Sequence, residues 1–120
     1  MGSRIAFGSD WPVSSADPLQ ELHVAVNRML SPRLGQPGTT ETTVPLLPGE
    51  ALGLDAGLDA FTRGVAYVNH EEETAGTLEA GKVADFAVLD QDLYAVPASA
   101  IGDTSVALTI AAGRVVHSDE

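Results

Sequence analysis

The spacing of apolar residues changes once along this chain, near Gly76, and that change limits the folds open to it. Before Gly76 the spacing is helical. Leu19, Leu22, Val26, Met29 and Leu30 form one apolar face, and Leu54, Leu58, Phe61, Val65 and Val68 form another. After Gly76 the period is that of strands. Val83 to Leu89 is a near-continuous apolar run broken by Asp85 and closed by Asp90, and Val106–Ile110 and Arg114–His117 flank Ala112-Gly113 as a tight hairpin. The pattern predicts helices over the first part and a mixed or antiparallel β module over 76–117, with the second helix packed on it. Three short strands are too thin to enclose a deep core alone.

The helices are punctuated. Asp17 can cap the first, Pro18 suits its first position and Gln20 stands where a capping box places Glu or Gln. Ser31-Pro32 should end it, because the residue before proline is pushed out of helical geometry. The second helix is expected over 55–69, with Gly57 and Gly64 each costing about 1 kcal/mol relative to alanine, so packing elsewhere must hold it. Between them, residues 32–50 carry four prolines, three glycines and four threonines, a loop over a site or a plain linker. Further along, Gly81 is placed for positive φ in a turn over 79–82, and 97–102 reads as a short helical turn.

Arg4-Ile5-Ala6-Phe7 reads as a buried strand, and Gly8-Ser9-Asp10-Trp11-Pro12 follows it. A carboxylate just past the end of a buried parallel strand is where α/β barrels place their chemistry. Such an aspartate is also commonly a cap or turn former. Of the three histidines, 47 residues apart, His23 beside the first apolar stripe reads as packed or exposed more readily than as a ligand. Glu71-Glu72-Glu73 after His70 reads as a solvated turn more readily than as a metal site.

Together these pieces resemble the C-terminal end of the amidohydrolase superfamily, in particular the branch of N-substituted formamide deformylases and related amide hydrolases. The residues that carry the resemblance are Gly8-Ser9-Asp10-Trp11-Pro12-Val13, then 60–67 (AFTRGVAY), 76–90 (GTLEAGKVADFAVLD) and Gly113-Arg114-Val115-Val116, in family order across nearly the whole chain. Ala80 stands where the family usually has proline, and Gly53 where a capping Ser or Thr is usual. The resemblance implies an α/β fragment: the last strand-helix unit of a (β/α)8 metal-dependent hydrolase barrel over residues 1–75, and part of a small C-terminal β-sandwich over 76–120. It implies a divalent metal, zinc, held in part by Asp10, which also serves as the catalytic residue that takes the proton from the attacking water. Trp11 and the 32–50 loop would border the mouth for a small-molecule amide substrate. The zinc site of such a barrel needs three or four ligands from several strands, and this chain has no His-x-His pair. The isolated chain is therefore expected to be an inactive C-terminal portion of a C–N hydrolase, or a non-catalytic module that self-associates or binds a partner through exposed strands.

Composition narrows the partners. A net charge of −11, from 6 basic and 17 acidic residues, argues against nucleic acid and anionic membranes. No stretch reaches the roughly 18 apolar residues of a membrane span, and the N-terminus has no basic start and apolar run. With no cysteine, thiolate sites and disulfides are excluded. A cytoplasmic homo-oligomer is the expectation, since the opening strand has no sequence neighbour to pair with.

Overall fold

A computed structural model describes residues 3–13, 15–34 and 44–119. Their contacts divide the chain into two interleaved units, one of residues 1–8, 58–90 and 105–120, the other of 9–57 and 91–104.

The second of these is built on helix α1 (Pro18–Asn27). Asp17 is extended and its Oδ1 accepts from Leu19 N–H at 2.9 Å, the expected cap, while its own N–H is satisfied by Ser15 Oγ at 3.1 Å. Gln20 therefore does not complete a capping box; its amide turns inward and donates to Gly102 O at 2.7 Å. The helix also ends earlier than Ser31-Pro32 predicts. Arg28 adopts the left-handed conformation (φ 57°), its N–H closes on Val24 O, and its Nε donates to Leu46 O at 3.0 Å. Leu30 thus falls beyond the helix and is exposed. Leu19, Leu22, Ala25, Leu93 and Ile101 are buried, with α1 packed against the 3-10 turn Ala98–Asp103 where a helical turn is expected. Gly57 keeps that core closed, since a Cβ there would lie 2.5 Å from Leu22 Cδ1. Within the loop, residues 35–43 lie outside the described residues. Its end is ordered by Leu46 N–H donating to Arg28 O at 2.8 Å and by the 3-10 turn Pro48–Glu50.

In the other unit the segment 4–7 is extended but is not a strand, and Ile5 is exposed. A parallel strand needs neighbours on both sides, and among the described residues this one finds a single backbone tie, Phe7 N–H to Ala60 O at 3.1 Å. Side chains supply the rest. The rings of Phe7 and Phe61 meet edge-on at 5.2 Å, and the Arg4 guanidinium sits 4.1 Å from the Tyr67 ring centre. The single helix expected over 55–69 is two, α2 (Leu54–Phe61) and α3 (Arg63–Val68). The break is at Thr62 (φ −117°, ψ −85°), whose hydroxyl bonds back to Leu58 O at 2.8 Å.

The strands follow the sequence closely. β1 (Phe86–Leu89), β2 (Val106–Ala111) and β3 (Arg114–Ser118) form an antiparallel sheet in the order β1-β2-β3. Phe86 faces Ile110 and Ala111 faces Arg114, with irregularities at Val88/Leu89 and Thr109/Ile110. Ala112 (φ 49°) and Gly113 (φ 75°) make the hairpin turn, and Gly81 (φ 98°) the turn closed by Lys82 N–H on Glu79 O. The aspartates that interrupt the apolar pattern hold these turns. Asp85 Oδ1 accepts from Ala112 N–H at 2.6 Å, and Asp90 exchanges bonds with Ser105 at 2.9 and 3.0 Å. Among the described residues neither α2 nor α3 makes more than marginal contact with the sheet, where the 55–69 helix was expected to pack, and Phe86, Val88, Val115 and Val116 are all exposed.

Candidate active site

Asp10 opens a four-residue turn with φ 48°, and Val13 N–H closes it on Asp10 O at 2.9 Å. Ser9 Oγ accepts from Trp11 N–H at 3.3 Å, and the Trp11–Pro12 peptide is cis. Asp10 is exposed and Trp11 is 69% exposed, so the turn presents both residues to solvent.

One residue that sequence reading passed over belongs here. Glu21 lies one helical turn after the cap Asp17. Burial raises its carboxyl above the ordinary value, and the carboxylates of Asp17 and then Asp10 push in the same direction. Its Oε1 is buried with no hydrogen-bond partner among the described residues. The signal in the sequence was the i,i+4 pair of acids, Asp17 and Glu21, at the start of a helix that follows Asp10 closely.

Among the described residues no group of three His, Cys, Asp or Glu side chains is placed to hold a metal ion. His23 is buried in packing, as its place beside the apolar stripe suggests. His70 is a left-handed turn residue, and the exposed His117 contacts Val106 O and Asp119. Glu71 N–H and Thr74 N–H close local turns around the acidic run. The described residues therefore do not by themselves fit a zinc ion, which needs three protein ligands even in an open catalytic site.

The sequence profile of the amidohydrolase family matches residues 1–117. The chain belongs to the amidohydrolase family. It is 32% identical over 91 residues to the N-substituted formamide deformylase of Arthrobacter pascens, covering 76% of this chain and 15% of that protein. YtcJ of Bacillus subtilis (strain 168), a candidate amidohydrolase by name, is 28% identical over 116 residues, 97% of this chain and 21% of its own length. Protein LONG AFTER FAR-RED 3 of Arabidopsis thaliana is 30% identical over 90 residues, 75% of this chain and 14% of its own. This amidohydrolase chain thus spans about a fifth or less of the curated relatives it matches. No solved structure matches it at the same stringency. Among the described residues no helix is long and apolar enough to cross a membrane.

Proposed function

We propose that this chain is the C-terminal portion of a metal-dependent amidohydrolase that cleaves C–N bonds of non-peptide amides, and that the 120 residues alone do not turn over. In this reading residues 1–75 are the end of a (β/α)8 barrel and 76–120 part of a β-sandwich. Asp10 carries the chemistry: it takes a proton from the attacking water and returns it to the leaving amine, and in the complete enzyme it would be one of several residues holding zinc. Trp11 lines the mouth for the amide substrate. The observation that supports this most is the Asp10 turn itself, which leaves Asp10 and Trp11 both exposed within a chain matched to the family from residue 1 to 117.

The test is an assay on N-formyl and N-acyl amides with and without zinc. The 120-residue chain should show no turnover. Extended upstream to the length of its relatives, it should gain zinc-dependent activity, and Asp10→Asn should lower kcat/KM by roughly 10²–10⁴-fold, the usual scale of a proton-transfer residue. Zinc-dependent turnover by the short chain that vanishes in Asp10→Asn would overturn the fragment reading, and full activity of the extended Asp10→Asn protein would overturn the site.

The exposed sheet favours a second reading, a non-catalytic module that associates through its strands. Val115 and Val116 are each 62% exposed, on alternate faces of a strand with one free edge. Light scattering on the purified chain separates the two. A mass of two or more chains supports association, and a clean monomer with the sheet intact by NMR rules it out.

A further inference from the structure

Gly102 stands at the centre of a clamp between α1 and the 3-10 turn Ala98–Asp103. Its N–H donates to His23 Nδ1 at 3.2 Å, and its carbonyl accepts from Gln20 Nε2 at 2.7 Å and from Arg33 Nη1 at 3.5 Å. His23 and Gln20 are each 2% exposed, and Ser31 Oγ donates to Gln20 Oε1 to complete the network. Asn27 adds a second tie from α1, donating to Ala98 O at 2.9 Å. There is no room to rearrange: a Cβ on Gly102 would overlap Ser31 Cβ and lie 3.1 Å from His23 Nδ1.

A backbone amide can only donate, so His23 Nδ1 must present a lone pair. That fixes the ring as the neutral tautomer with its proton on Nε2. A proton on Nδ1 would set two N–H groups face to face in a site closed to water, and the Gly102 bond would be lost.

We propose that His23 is an acid-operated release for the segment Ala98–Thr104, holding it to α1 when neutral and letting go when protonated. This does not depend on the hydrolase reading. The charged groups around the ring come from each side of the clamp. Asp103 on the 3-10 turn favours the cation, and the Arg33 guanidinium meets the same Gly102 carbonyl. On α1 itself Glu21 is two residues away on a different face, and Asp17 is occupied at the cap. Burial outweighs Asp103 and lowers the ring's pKa from its ordinary 6.5. The unfolded chain therefore binds the proton more readily than the folded one. The clamp is at full strength above about pH 6.5 and weakens as pH falls from there through the lower folded value.

Amide exchange followed by NMR on the 120-residue chain tests this. The protection factor of the Gly102 amide, and those of its neighbours in 98–104, should fall tenfold or more between pH 7.5 and 5. In His23→Asn, whose side-chain oxygen can accept the same bond and does not titrate, protection should stay level. Unchanged protection in the parent chain, or an equal fall in His23→Asn, overturns the proposal. Should His23→Asn fail to fold, the imidazole nitrogen shifts of the parent chain decide. A titration midpoint below 6.5 that coincides with the loss of Gly102 protection supports the release, and one at or above 6.5, or one out of step with it, overturns it.

Discussion

A Cβ placed on Gly64 would overlap the carbonyl oxygen of Ile5 and lie 3.1 Å from its carbonyl carbon, so α3 and the extended segment 3–8 touch backbone to backbone there. A glycine costs a helix about 1 kcal/mol, so packing elsewhere must hold it, and at Gly64 that packing is this contact. Gly64→Ala should therefore destabilise by about 1–3 kcal/mol, the usual cost of overpacking. Urea unfolding measures the loss, and exchange at the Phe7 amide should rise with it. Glu21 makes the opposite kind of prediction. Its carboxyl is raised, so the folded state holds the proton more tightly than the unfolded one, and its ionisation works against folding as pH rises through the raised value. Glu21→Gln should raise Tm at pH 7 and leave it nearly unchanged at pH 3.5. Equal Tm values at pH 7 would refute the cost assigned to its buried, unpartnered carboxylate.

Among the elements, the hairpin is the one where local chemistry is furthest from its optimum. Ala112 sits in the left-handed region, which costs an ordinary L-residue roughly 1–2 kcal/mol, whereas Asn-Gly is the favoured pair for such a turn. Ala112→Asn should stabilise by about 0.5–1 kcal/mol and Gly113→Ala should destabilise by about 1 kcal/mol, both read from thermal unfolding. For α1, Asp17→Ala should remove about 1 kcal/mol through the lost bond to Leu19 N–H. Elements with local causes were legible in the sequence: the Asp17 cap, the Gly81 turn, the Ala112-Gly113 hairpin and the 3-10 turn at 98–103. Elements decided by tertiary partners were not. α1 ends early at Arg28, where Leu46 O accepts from Arg28 Nε and Leu46 N–H donates to Arg28 O, and no local pattern announces a residue 18 positions away. Likewise 4–7 has the composition of a buried strand, but composition cannot supply the neighbours that would make it one, and among the described residues the segment carries no strand pairing.

At the scale of the molecule, family membership was legible because four motifs fall in order, whereas the proposed site was legible only as a single carboxylate. Asp10 is present on its turn, and among the described residues it belongs to no group of three His, Cys, Asp or Glu side chains placed to hold a metal ion. The buried polar cluster of Gln20, His23 and Ser31 was hidden for a related reason: each was read within its own stretch of chain, and the group that unites them is the backbone of Gly102, some 70 to 80 positions downstream. The interleaving of the two units has a further consequence, for the order in which the chain is made. The backbone passes between units four times, at 8/9, 57/58, 90/91 and 104/105. A ribosome delivering residues from the N-terminus completes the unit of α1 and its clamp at Thr104. At that moment β1 has already been made with neither β2 nor β3 to pair with, and the apolar strand Phe86–Leu89 must wait through the whole of segment 90–105 before its partner is synthesised.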